Sequence, residues 1–234
     1  MRFYFPALVL VSLLVIGCSG ETEVVTLHPN GMISIKGYFD SNELKTGLWT
    51  SWDTDGRKLD ETTYKNGNLV KKVGFKWHEN GQKAGEVTSM NGELDDDFVL
   101  REWYENGQKM REVTVKNGKP DGVVTAWYEN GQKELEGTSK NGKRDGAWTE
   151  WWENGREKSR ETYKNGELEG VLTGWYENGQ KFREGTSKNG VRDGVWAQWD
   201  LLGQLTSEDS YKNGKRDGAW TEWNEDGQKT SEQL

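Results

Sequence analysis

Seven carboxylates recur at one place in successive repeats of this chain: Glu61, Glu86, Glu112, Glu136, Glu184, Glu208 and Glu232. Two carboxyl groups do general acid–base work when different environments hold their pKa values apart. A ladder of equivalent glutamates offers the opposite. These side chains therefore read as a solvated sheet face beside threonine and lysine neighbours. Arg160 interrupts the ladder with Glu161 next to it, and the two are expected to form a local ion pair. There are two histidines, His28 and His78, and His78 stands where other repeats carry Tyr104, Tyr128 and Tyr176. It reads as one more ring in an aromatic row. The run Asp95-Asp96-Asp97 lacks the ligand alternation and internal turn glycine of a calcium loop, so a solvated acidic bulge is expected. No Ser-His-Asp set, phosphate-cradling glycine loop or metal-ligand spacing occurs. The chain reads as non-enzymatic, with no catalytic residue, no metal and no cofactor.

The elements that place these residues are set by tryptophan and Asn-Gly. Trp127 to Trp151 shows the pattern, with Asn130-Gly131 and Asn141-Gly142 dividing it into two short polar runs that end on tryptophan. Asn-Gly is the strongest short hairpin signal, because a type I′ turn needs positive φ at both central positions. The second pair is followed by Lys-Arg-Asp-Gly, which predicts a wider turn with a bulge near Asp145-Gly146. Marker tryptophans fall at Trp52, Trp77, Trp103, Trp127, Trp151, Trp175, Trp199 and Trp223, 24 residues apart except for steps of 25 and 26 between Trp52 and Trp103. Such a period signals a repeat architecture. Alternation such as Glu136, Thr138 and Lys140 marks strands with one distinct face. The fold class is therefore all-β: an elongated, repetitive antiparallel β-meander of about eight 24-residue two-strand repeats. A longer register also exists, since the stretch from Val123 recurs 48 residues later from Val171. It reads as the trace of a duplication rather than as mechanism.

With 32% hydrophobic and 30% charged residues, the chain is too polar for a large two-layer core. Its thirteen tryptophans supply the apolar surface that ordered strands need. Alternation sends Trp148 and Trp152 to one side and Trp151 to the other. Trp151 recurs as the marker and is assigned to structure. Trp148 matches Val124 and Leu172 in adjacent repeats, and Trp152 matches Tyr128 and Tyr176. That variable side, Trp148, Tyr128, Trp152 and Tyr176, is the expected partner-binding face. Leu201 and Leu202 replace the usual polar turn residues. They either tuck against the next hairpin or form an apolar contact point.

Residues 1–17 form a secretion signal, with Arg2 before an apolar run too short to span a bilayer. Val15-Ile16-Gly17-Cys18 resembles the lipobox of bacterial lipoproteins, which implies lipidation of Cys18 and firm membrane anchoring. Ser19 then implies the outer membrane in a Gram-negative cell. Residues 18–27 are expected to be a tether, and 28–234 the repeat array. Cleavage removes Arg2, leaving 30 basic against 39 acidic residues and a net charge of −9. That balance excludes a nucleic-acid partner.

The strings W-Y-E-N-G-Q-K and K-N-G-K-x-D-G-x-W-x-x-W resemble the MORN-variant repeat of bacteria, found in YwqK-type antitoxins. The resemblance covers residues 47–234 and implies a binding role without catalysis. It points to a protein partner, either a toxin or an envelope complex. The Trp, Tyr and Asn-Gly usage is also similar to choline-binding cell-wall repeats, which implies glycan binding as the alternative.

Overall fold

In a computed structural model, the described residues are 13–16, 20–89, 92 and 96–233. All regular structure among them is β-strand, and the chain divides into two units, residues 1–107 and 108–234. The first holds β1 (Leu13–Ile16), β2 (Thr22–Leu27), β3 (Ile33–Phe39), β4 (Lys45–Trp52), β5 (Lys58–Lys65), β6 (Asn68–Trp77), β7 (Lys83–Ser89) and β8 (Phe98–Trp103). The second opens with β9 (Lys109–Lys116), β10 (Lys119–Trp127), β11 (Lys133–Lys140), β12 (Lys143–Trp151), β13 (Glu157–Lys164) and β14 (Glu167–Leu168). It continues through β15 (Gly170–Trp175), β16 (Lys181–Lys188), β17 (Val191–Trp199), β18 (Leu205–Lys212), β19 (Lys215–Trp223) and β20 (Lys229–Gln233).

Within each unit every strand pairs antiparallel with the next in sequence, β13 also reaching past the short β14 to β15. Each unit is therefore a β-meander, as the repeat pattern predicts. Residues 22–27 depart from the expected tether. Thr-Glu-Val-Val-Thr-Leu is rich in β-branched side chains and forms β2, paired with β3 from Thr22↔Phe39 to Leu27↔Ile33. Its other edge pairs with β1.

The two Asn-Gly classes make different turns. In Lys-Asn-Gly-Lys both central residues have positive φ, 51° at Asn141 and 80° at Gly142, and Lys140 pairs with Lys143. This is the expected type I′ hairpin. In Glu-Asn-Gly only the glycine is left-handed (Gly131, φ 84°), which corrects the expectation for that pair. The turn there spans Tyr128–Gly131 and is closed by Gly131 N–H donating to Tyr128 O at 2.9 Å and Tyr128 N–H to Gln132 O at 2.8 Å. The Asn130 side chain explains the difference. Its Oδ1 accepts from Gln132 N at 2.9 Å while its Nδ2 donates to Glu153 O of the following repeat at 2.8 Å. The carboxamide thus serves the turn and its neighbour together, a role that an Asx-type turn permits.

The opposite edge is joined as well. Gly142 N–H donates to Pro120 O at 2.8 Å, and Asn141 N–H to the Asp121 carboxylate at 3.1 Å. The same pair of bonds recurs at Gly214 and Asn213, with Arg192 O and Asp193 as acceptors. The Asp-Gly bulge supplies those carboxylates: Gly146 has φ 91° and the register slips between Gly137 and Ser139, where the sequence predicts a bulge. Consecutive hairpins are thereby joined at both ends.

Candidate functional site

Cross-strand register assigns every side chain of the second unit to one of two faces. One face, here the front, carries the row Glu112, Thr125, Glu136, Thr149, Arg160, Thr173, Glu184, Ala197, Glu208, Thr221 and Glu232. The marker tryptophans stand two residues along the strand from the Thr/Ala positions, so they lie on the front too. The back carries Val113, Val124, Gly137, Trp148, Glu161, Leu172, Gly185, Trp196, Asp209 and Trp220.

The back is the packed face. Trp148 is only 4% exposed, and its indole lies flat over Gly137, where a Cβ would fall 2.2 Å from Trp148 Cδ2. Its Nε1–H donates to Thr138 O at 2.9 Å, and Arg144 stacks on it at 4.3 Å while also facing Tyr163 at 5.2 Å. Trp196 over Gly185 repeats the arrangement, with Arg192 at 4.4 Å, as does Trp49 over Gly37 with Lys45 at 4.5 Å. Trp148 therefore cannot present its ring to a partner, contrary to expectation. The two rings have the reverse of their expected roles: Trp148 is the buried one and Trp151 the half-exposed one. The sequence did hold a signal. Gly137 and Gly185 sit inside Glu-Gly-Thr-Ser-Lys strands, away from any turn, and a mid-strand glycine marks close approach of another group. The 48-residue register also has a mechanical meaning, because ring-over-glycine strands alternate with strands carrying a carboxylate. Glu161 meets Tyr163 Oη at 2.5 Å and Arg183 at 3.5 Å, and Asp209 meets Arg216 at 3.2 Å.

Tyr128, Trp152 and Tyr176 form a third row, at the turns. Each polar tip donates to the marker carbonyl one repeat on: Tyr128 Oη to Trp151 O at 2.7 Å, Trp152 Nε1 to Trp175 O at 3.1 Å, Tyr176 Oη to Trp199 O at 3.0 Å. His78 Nε2 bonds Trp103 O at 2.8 Å in the same way, which supports its reading as a member of the aromatic row. Leu201 and Leu202 do not tuck. They are 60% and 77% exposed at the tip of the turn that Asp200 organises, its Oδ1 accepting from Leu202 N and Gln204 N. Cys18 and Asp95 lie outside the described residues. Among the described residues no cluster could hold a metal ion.

The front face is the open one. Between β9, β10 and β11 runs a groove of about 380 Å³, floored by Thr125 and lined by Glu112, Val123, Trp127, Lys133 and Glu136. In the first unit the matching groove, about 570 Å³, is lined by Glu61, Val73, Phe75, Trp77, Glu86 and Arg101 among others. Val123, Val171 and Val195 are 58%, 56% and 52% exposed along this face. The ladder glutamates pair with the residue three positions earlier, as in Lys109–Glu112 at 2.7 Å and Lys181–Glu184 at 2.6 Å. Arg160 keeps that geometry with reversed charge, pairing with Glu157 rather than with Glu161, whose side chain points to the back. The same cations cap the marker rings: Lys109 over Trp127 at 5.2 Å, Lys133 over Trp151 at 5.7 Å, Arg160 over Trp175 at 5.9 Å. Such contacts contribute about 0.5–1 kcal/mol each at exposed sites. Burial raises the Glu86 carboxyl, but the hydrogen bond from Lys83 and the charges of Lys83 and Arg101 outweigh it and hold the group below its ordinary value.

What this arrangement can do is present a periodic, amphipathic surface; equivalent carboxylates already paired to lysines form no acid–base couple. The sequence profile of the MORN repeat variant matches residues 99–117, 120–141, 144–165, 168–189 and 192–213. No curated protein matches the chain significantly. MORN repeats are non-catalytic motifs that contact proteins or membranes. Between residues 99 and 213 the chain thus matches the MORN repeat variant five times in tandem.

Proposed function

We propose that the protein is a lipid-anchored, non-enzymatic repeat protein of the bacterial envelope whose front face binds another protein, in the manner of an antitoxin or of a component of an envelope complex. The observation that carries this reading is the in-register line of exposed Val123, Val171 and Val195 beside Lys–Glu pairs and half-exposed tryptophans. Apolar positions of this kind with charged surroundings suit a protein surface. A glycan would stack on bare rings, and here five marker rings, Trp103, Trp127, Trp151, Trp175 and Trp199, carry lysine or arginine instead, which favours the protein over the sugar. Anchoring rests on the lipobox-like segment ending at Cys18.

Full-length wild type and Val171→Asp, cross-linked in envelope extract, test the binding. One protein should be retained by the wild type and lost with Val171→Asp. Equal retention by both, or binding only to a panel of cell-wall glycans, overturns it. Cys18→Ala should abolish lipid labelling and membrane partitioning; equal labelling of the two versions removes the anchor.

A further inference from the structure

Eight repeats carry a residue three positions before the ladder position on the front face, and in seven the two form an ion pair: at Glu61, Glu86, Glu112, Glu136, Arg160, Glu184 and Glu232. In five of these the cation also stands over the marker ring of the following strand, Lys83 over Trp103 at 4.8 Å and Lys181 over Trp199 at 5.7 Å among them. One side-chain charge thus satisfies a carboxylate and a π face together. The eighth repeat has Leu205 where the lysine belongs, while Glu208 and Trp223 are both kept. Among the described residues Glu208 forms no ion pair and no cation stands over Trp223. Glu208 is exposed and Trp223 half-exposed. Leu201 and Leu202, the most exposed leucines of the chain's described residues, lie on the turn between β17 and β18, at the end where Leu205 begins its strand.

We propose that Glu208 and Trp223 form a docking point for a lysine or arginine side chain of the protein partner, with Leu201 and Leu202 receiving an aliphatic side chain next to it. The proposal rests on the protein-binding reading above and names where that partner engages. The chain itself shows the chemistry, since five other repeats place their own cation between the same two groups. Charge complementarity extends beyond the point, because a chain of net charge −8 draws basic partners. A bare amine would need only Glu208 and Trp223; the paired leucines favour a basic residue set in an aliphatic polypeptide segment.

The probes are three: the peptide acetyl-Ala-Leu-Lys-Leu-Ala-amide, the same peptide with norleucine in place of lysine, and ethylammonium. Each is titrated into the full-length chain while the indole N–H resonances are followed. The lysine peptide should shift Trp223, leave Trp127 unshifted, and bind about fivefold more tightly than the norleucine peptide, as one exposed cation–π contact with one surface ion pair implies. Glu208→Gln should reduce that preference to what the Trp223 ring alone supplies, Leu205→Lys should erase it by giving the repeat its own cation, and circular dichroism melts check that both variants stay folded. Equal binding of the two peptides, or an undiminished lysine preference in Leu205→Lys, overturns the docking point. A Trp223 shift as large with ethylammonium as with the lysine peptide overturns the polypeptide assignment. Retention of an envelope protein unaffected by Leu205→Lys, without lysine preference, refutes this site and leaves the binding function standing. Lysine-selective binding with nothing retained from the envelope refutes the function and leaves the site.

Discussion

Replacing Gly137 with alanine puts a methyl carbon into the Trp148 indole. The added Cβ would lie 2.2 Å from Cδ2, 2.5 Å from Cε2 and 2.6 Å from Cγ. Carbon contacts settle at about 3.5–4.0 Å, so the ring must move away by more than 1 Å. Moving it gives up the bond from Nε1 to Thr138 O, the Arg144 stack and the burial that leaves Trp148 only 4% exposed. Deleting a buried tryptophan costs about 3–5 kcal/mol, and displacing one that keeps part of its contacts should cost about 2–3 kcal/mol. The change has an opposite intrinsic tendency, since alanine in a strand is favoured over glycine by about 0.5–1 kcal/mol. A double-mutant cycle separates the two. With Trp148→Ala already in place, Gly137→Ala should become neutral or slightly stabilising, giving a coupling of about 3 kcal/mol. A repeat array need not unfold in one step, so the measurement should be local: hydrogen exchange of the amides of β11 and β12 in the full-length protein. Slow exchange retained in Gly137→Ala, or a cost that persists once the ring is gone, would refute the ring-over-glycine account.

At Gly142, with φ 80° in the type I′ turn, valine should cost about 1–3 kcal/mol, whereas Lys140→Val, in the strand beside it, should cost far less. Equal melting temperatures would contradict the turn assignment. Tyr176→Phe removes the bond to Trp199 O and should weaken protection of that hairpin by about 1 kcal/mol in hydrogen exchange, with no change elsewhere in the array. The Glu86 carboxyl is held below its ordinary value in the fold, so its contribution is present above the unfolded carboxyl pKa and is lost as pH falls through the lower folded one. Acid titration followed by hydrogen exchange should therefore loosen β7 against β8 in the wild type and show a smaller pH dependence in Glu86→Gln; identical profiles would exclude the linkage.

Much of the backbone was legible in the sequence because its determinants are local. Asn141-Gly142 specifies a turn by its own φ angles, and Asp145-Gly146 specifies a bulge the same way. Asn130-Gly131 misled because its turn depends on Glu153 O of the next repeat, a partner 23 residues away that no dipeptide rule contains. Thr22–Leu27 is a strand rather than a tether for a similar reason: the edge that β3 offers lies outside its own sequence.

The packed face is the feature least legible in the sequence, which follows from what recurrence measures. A residue found in every repeat must suit every neighbour, so it serves what all hairpins share. Trp151 does so by closing its hairpin on the open face and offering its carbonyl to Tyr128. A residue that appears in alternate repeats can be fitted to one particular opposing strand. Trp148 and Trp196 need a strand without a Cβ beneath them, and Gly137 and Gly185 provide it, whereas Glu161 and Asp209 in the intervening strands do not. Variation along the back face is therefore complementarity between adjacent strands rather than freedom to change. The same logic gives Leu205 its weight. On the front face the lysine belongs to the shared set, so its loss in one repeat, with Glu208 and Trp223 retained, leaves two groups built for a cation that the chain does not supply there.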